Sequence, residues 1–309
     1  MHISQRIRSI TPAPMDEINA RVAALRREGA DVISLGQGVP GFPPATGAIR
    51  SARQALRDPT THLYSADAGL LSLRRMVSVW LAEQNRIEAD PDTEIFVTAG
   101  ANQAFMVALL TLLDPGDGVL LPSPFYFNHE MSIRVAGGVP LEVPLQEETG
   151  FQLTLEELGP YLERQPRALV VTSPNNPTGA VYDPEELRRI ARVAVSRGVV
   201  VITDETYQDF LYEGAEHFSM ASIPEARPQV ITIGSFSKIF SLTGWRVGYM
   251  IADRAFLEQA LKVQGLDDRL RRGHLPGRRS GGLEGLPRRR TTAARDSERT
   301  ASAARSSPG

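Results

Sequence analysis

The chain has 309 residues, 42% of them hydrophobic, and a formal net charge of −2, enough for one large domain or two modest ones with a substantial core. It has no cysteine, which excludes disulfides and thiolate metal sites, and no apolar run nears the roughly 18–20 residues that span a bilayer. The opening MHISQRIRSITPAPMDEI lacks the apolar stretch of a secretory signal, so a cytoplasmic protein is expected.

Helices are predicted at 16–28, 45–57 and 69–84, followed by a strand at 94–98 (EIFVT). The next helix, 102–113 (NQAFMVALLTLL), stops at the turn D-P-G-D. Strands at 118–122 and 139–143, a helix at 154–164 and a strand at 168–172 come next. Asp183 is the N-cap and Pro184 the first residue of a helix over 184–197. Strands at 199–203, 230–234 and 246–251 and a helix at 253–263 complete the series. Short β-branched runs alternating with helices predict an α/β fold with a largely parallel sheet.

The charge divides unevenly. Residues 265–309 hold eleven arginines against five acids, a net of +6, whereas the other 264 residues hold 23 basic and 31 acidic residues, a net of −8. The segment after 264 has no Ile, Val, Phe, Met, Tyr, Trp or Lys and too little apolar surface to offset the entropy of ordering it. A nucleic-acid-binding arm, a disordered tail and a shifted reading frame beginning near Gly265 all give such a composition. The abrupt change after L-E-Q-A-L-K-V-Q (257–264) favours the shifted frame. The first reading lacks aromatic residues for base stacking, so no nucleic-acid partner is expected.

The chemistry concentrates in S-F-S-K-I-F-S-L-T-G-W-R at 235–246, with N-N-P-T-G (175–179) and D-E-T-Y (204–207) upstream. A lysine that attacks a carbonyl needs a partly desolvated site where its amine can lose a proton, which suits Lys238. Hydroxyls and a guanidinium bind phosphate by charge-assisted hydrogen bonds, which suits Ser235, Ser237 and Arg246. An acid at the end of a buried strand, Asp204, can hold a ring nitrogen protonated. Together these describe a pyridoxal phosphate (PLP) site with Lys238 as the Schiff-base lysine. Open α/β sheets bind ligands beyond the carboxyl ends of their strands, and A-G-A-N-Q, S-P-N-N-P-T-G, D-E-T-Y and S-F-S-K each follow a predicted strand.

In their order and spacing, N-P-T-G, D-E-x-Y, S-x-S-K and G-W-R-x-G resemble the class I/II aminotransferases, the aspartate-aminotransferase-like branch of the fold-type-I PLP enzymes, from about residue 30 to 264. The resemblance implies a three-layer α/β/α large domain. It also implies amino transfer between an amino acid and a 2-oxo acid through pyridoxamine phosphate. Lys238 would hold the cofactor and move the substrate proton, with Asp204 on the pyridine nitrogen and Tyr207 and Asn176 on the phenolic oxygen. Gly100 and the amides of Ala101 and Asn102, with Ser235, Ser237 and Arg246, would take the phosphate, and Tyr126 would stack on the ring. Gly38, in S-L-G-Q-G-V-P, resembles the glycine loop over the substrate carboxylate. Tyr64 resembles the tyrosine that reaches the partner subunit's phosphate, which implies a homodimer. A PLP-dependent lyase or synthase of the same fold, or a cofactor-binding remnant without turnover, fits the same motifs.

Relatives of this kind carry a C-terminal segment that forms most of a small domain and supplies an arginine for the substrate α-carboxylate. No motif for it is found here. The expected organisation is an N-terminal segment (1–40), a PLP-binding large domain (41–264) and the Arg-rich segment (265–309), with the small domain mostly missing.

Overall fold

A computed structural model describes residues 2–271. All seven apolar runs form strands: β1 (Ile95–Thr98), β2 (Gly118–Ser123), β3 (Val139–Pro144), β4 (Ala168–Thr172), β5 (Val200–Asp204), β6 (Val230–Ser235) and β7 (Gly248–Ile251). They build one sheet in the order β1-β7-β6-β5-β4-β2-β3. The pairs β2–β3, β2–β4, β4–β5 and β5–β6 are parallel. β7 runs antiparallel to both β6 and β1, so six strands point one way and β7 the other. The reversal has a local cause. Between β6 and β7 the chain has no crossover helix long enough to carry it back for a parallel return, and Ser241 and Arg246 turn it with positive φ of 55° and 56°.

The helices are α1 (Gln5–Arg8), α2 (Met15–Arg27), α3 (Thr46–Ala55), α4 (Leu71–Asn85), α5 (Ala101–Leu112), α6 (Phe127–Val135), α7 (Leu155–Leu162), α8 (Pro184–Ser196), α9 (Phe236–Ile239) and α10 (Arg254–Arg271). Asp183 caps α8 as expected, its carboxylate accepting from the Glu185 amide at 2.7 Å. Thr154 and Glu157 form a reciprocal capping box at α7. Three elements escape the sequence pattern. α1 and α9 have four residues each, and α6 buries only His129 and Ile133 and has no side-chain cap.

Alternation along the strands sorts the core into two layers. Leu120, Leu169, Val171 and Val201 pack with Val77 and Leu81 of α4, Leu158 of α7 and Ile190 of α8. Val119, Leu121, Val170 and Ile202 face the other way, onto Phe105 and Leu109 of α5, Ile133 of α6 and Leu257 of α10. The result is the three-layer α/β/α arrangement. α10 continues past the composition change at residue 265 as far as Arg271. The rest of the Arg-rich segment, 272–309, lies outside the described residues. Among the described residues no helix is long and apolar enough to cross a membrane.

Candidate active site

The strand directions gather the polar motifs on one edge. β1, β2, β4, β5 and β6 end there and lead into Gly100, Ser123–Tyr126, Ser173–Gly179, Asp204–Tyr207 and Ser235–Lys238, while β7 begins there just after Arg246.

Lys238 lies on α9, where the Ser235 hydroxyl caps the helix by accepting from the Ser237 amide at 3.1 Å. The Lys238 Nζ donates to the Gly38 carbonyl and stands 5.7 Å from the Tyr207 ring centroid. Burial, and secondarily the charge of Arg246, push its pKa below that of an ordinary lysine. Both disfavour the ammonium form, so the free amine is easier to reach.

Arg246 and the start of α5 form an anion cradle. Gly100 precedes the helix at φ 85°, and no side chain caps this N-terminus. Its first amides are therefore directed at the site with a favourable helix dipole. A Cβ on Gly100 would collide with the Arg246 guanidinium, its Cζ only 3.0 Å away. The position thus favours glycine for its φ, and a side chain there would also push the Arg246 guanidinium aside. Arg246 Nη1 donates to the Thr243 carbonyl at 2.9 Å, which anchors one side of the planar fork.

Asp204 is buried at the end of β5. One carboxylate oxygen accepts from the Thr206 amide at 3.0 Å and its hydroxyl at 2.6 Å, the other from His129 Nε2 at 3.2 Å. Burial raises its pKa, but the His129 and Thr206 interactions outweigh that, and the carboxyl is held below its ordinary range. A buried, ionised carboxylate at a strand end suits a cationic ring nitrogen. His129 was not identified from the sequence. It lies in S-P-F-Y-F-N-H, on a helix the sequence pattern did not predict, and stacks at 4.3 Å on Phe105. A histidine two residues after three consecutive aromatics carries no signal until α6 is known.

Among the three adjacent aromatics, the geometry separates Tyr126 from its neighbours. Phe125 packs against the α5–α6 core. Tyr126 accepts from Asn128 at 2.6 Å and also bonds Asn102. Burial, then the charge of Asp204, raise its pKa against the opposing hydrogen bonds. Tyr207 is half-buried, and its pKa is likewise raised by burial, Asp204 and Tyr126. Its hydroxyl lies 3.8 Å from where a Gly38 Cβ would stand. Lys238, Tyr207 and Gly38 are therefore brought together.

The two asparagines of N-N-P-T-G separate as well. Asn175 is buried and holds its own loop, accepting from the Thr178 amide and hydroxyl and donating to Tyr182. Asn176 is half-buried and forms no side-chain hydrogen bond among the described residues, which leaves its amide available. Ser237 is buried beside Lys238. Tyr64 lies apart from this arrangement in character, 79% exposed on the loop before α4.

Residues 30–266 match the family described as aminotransferase class I and II. The chain is 41% identical over 249 residues to a probable aspartate/prephenate aminotransferase of Aquifex aeolicus, an alignment covering 80% of this chain and 63% of that protein. It is 37% identical over 264 residues to aromatic-amino-acid aminotransferase 2 of Thermococcus litoralis, covering 85% and 67%. Its fold superimposes on Thermus thermophilus aspartate aminotransferase with maleate at a TM-score of 0.84 and 32% identity, covering 99% of this chain and 76% of that one. The chain thus spans about two thirds of the length of these curated relatives. On the family match and these identities, the chain belongs to the class I and II aminotransferases.

Proposed function

We propose that this protein moves an amino group between an amino acid and a 2-oxo acid, with PLP bound at the strand-end edge. The family uses PLP, and the donor set fits it. The observation that carries the reading is the half-buried Lys238 amine, of lowered pKa, beside Tyr207 and between an ionised buried carboxylate and an uncapped helix N-terminus with an arginine laid over it.

In this reading Asp204 holds the ring nitrogen, with His129 fixing the carboxylate from behind. Tyr126 covers one ring face. Gly100, the Ala101 and Asn102 amides, Ser235, Ser237 and Arg246 take the phosphate. Asn176 and Tyr207 donate to the phenolic oxygen. When bound, PLP supplies the carbonyl that accepts the amino group and a ring that withdraws electrons from the substrate Cα. Lys238 Nζ would take the proton from that Cα; burial, and then the charge of Arg246, disfavour its ammonium form and make the free amine easier to reach. The Gly38 loop lies over the mouth, on the side where a substrate carboxylate would enter. The same reading makes the working unit a homodimer in which Tyr64 serves the neighbouring subunit; its exposure on a single chain supports this.

The test is a single-turnover assay of the PLP-loaded chain with aspartate and with aromatic amino acids. Formation of the matching 2-oxo acid with transfer of the amino group to the cofactor is expected. Elimination products, or release of no product from any donor despite full cofactor loading, would overturn the reading.

A further inference from the structure

Behind the site, on the opposite face of β5, lies a buried polar cluster that the chemistry above does not use. Asp204 and Glu205 are consecutive, so their side chains leave the strand end on opposite faces. Asp204 points to the α5–α6 layer, where His129 meets it. Glu205 points to the α4 layer and is buried to 4% exposure. Its Oε1 accepts from Ser219 Oγ at 2.6 Å. Its Oε2 accepts from Asn85 Nδ2, at the end of α4, at 3.0 Å and from His217 Nε2 at 3.1 Å. Asn85 Nδ2 also donates to Gln208 Oε1 at 2.6 Å. Burial, and then the charge of Glu205, raise the pKa of Tyr249 on β7, and the Tyr249 ring fills the space above Gly234, where a Cβ would collide with it. Gly234 immediately precedes Ser235 of the lysine-bearing turn.

We propose that Glu205 is a positioning residue of the active site: through Asn85, His217, Ser219 and Gln208 it fixes the turn from which Asp204 and Tyr207 reach the cofactor, and couples that turn to the strand carrying Ser235 and Lys238. Three physical points carry this. A buried carboxylate loses several kcal/mol of hydration, and a packed apolar residue would fill the same space without that loss. Its retention here with three donors specifies orientation rather than simple packing. Second, Glu205 acts on the peptide shared with Asp204. Its amide donates to the Ile233 carbonyl at 2.9 Å, and its carbonyl accepts from the Gln208 amide at 3.1 Å. Holding its side chain from three directions therefore fixes the rotation of the Asp204–Glu205 link. Third, the cluster adjoins both halves of the site: Glu205 and Gln208 flank Asp204 and Tyr207 in sequence, and Tyr249 abuts the residue before Ser235.

The inference rests on the proposed PLP site, and its test separates the two. The full chain has five histidines, so selective 15N-histidine labelling of the cofactor-free protein resolves His129, whose ring reports the placement of Asp204. Glu205→Gln should shift the His129 ring signals and weaken PLP affinity roughly tenfold, the lower end of what residues behind metal ligands contribute to metal affinity. Ser219→Ala removes one of the three donors and should act in the same direction but less, which decides the matter if Glu205→Gln does not fold. Asp183→Ala is the control. It lowers stability through loss of a helix cap and should leave His129 unmoved. Unchanged His129 signals in the folded Glu205 and Ser219 variants would overturn the proposal. So would an equal shift in Asp183→Ala, which would reduce Glu205 to general stability. Failure of the wild-type chain to take up PLP would instead overturn the cofactor reading, with the His129 spectra still judging Glu205.

Discussion

α4 to α10 each bury residues against the sheet, whereas α1, α2 and α3 bury none. Leu81 on α4 is 1% exposed, while Leu35, between α2 and α3, is 91% exposed. Both stretches contain apolar residues, so composition does not separate them; possession of a packing partner does. The N-terminal part touches the site at its mouth, where Lys238 donates to the Gly38 carbonyl and Ser241 Oγ to the Phe42 carbonyl at 2.6 Å. The difference teaches that floor and cover of the site are held by different means. The floor is built into the sheet and its two helical layers, and the cover is laid over it by a few polar contacts.

The sharpest test of that division is covalent trapping of the cofactor. Borohydride reduction of the PLP-loaded chain should fix the cofactor on Lys238, and Lys238→Ala should abolish the label. Lys262, exposed on α10 and bonded to Gln259, is too solvated to substitute. Gly38→Ala, in the cover, should leave the label in place, since its nearest contact would be an ordinary 3.8 Å to the Tyr207 hydroxyl. Peptide mapping that finds the label on Lys262 would sink the assignment of the lysine, and loss of label in Gly38→Ala would make the cover part of the floor.

Next in size is the core. Leu120 is fully buried on β2, and Leu120→Ala should lower the unfolding free energy by about 2–5 kcal/mol, from lost transfer energy and the cavity left behind. Urea titration measures it. A loss below about 1 kcal/mol would mean that the sheet interior relaxes around the cavity and is less tightly packed than its burial indicates.

A smaller effect follows from Asp204. An unfolded aspartate titrates near pH ~3.9, and the His129 and Thr206 interactions hold the folded carboxyl lower. Around pH 4 the folded chain therefore binds fewer protons than the unfolded one, and stability rises with pH through that range. The contribution is complete above the unfolded value and is lost as pH falls through the folded one. Asp204→Asn should flatten this part of the stability–pH curve. A curve unchanged by Asp204→Asn would show that the His129 contact does not hold in solution.

How far the sequence foretold this molecule follows the same division. The strands were legible because each is a short apolar run closed by Gly, Pro or polar residues, and the motifs at their ends follow from that placement. The antiparallel course of β7 was not, since it depends on Ser241 and Arg246 adopting positive φ, which neither residue type announces. His129 was invisible for want of α6. Glu205 stood in plain view beside Asp204, but its partners Asn85, His217 and Ser219 come from separate parts of the chain and meet only in the fold. Single-residue roles at strand ends can be read from motifs; networks assembled across layers cannot.

The smallest predicted effect tests the cover itself. Leu35 makes so little contact in the single chain that Leu35→Ala should change stability by no more than about 0.5 kcal/mol, the range of surface substitutions remote from any special contact. The measurement is urea denaturation at two protein concentrations tenfold apart. If the N-terminal part stays uncovered, the small effect is the same at both. If a second copy of the chain covers it, the midpoint of the wild type rises with concentration and Leu35→Ala loses more at the higher one, because association adds to the stability of whichever state binds. A large loss independent of concentration would break the comparison outright, for it would mean that this part packs on its own chain and that floor and cover are one structure.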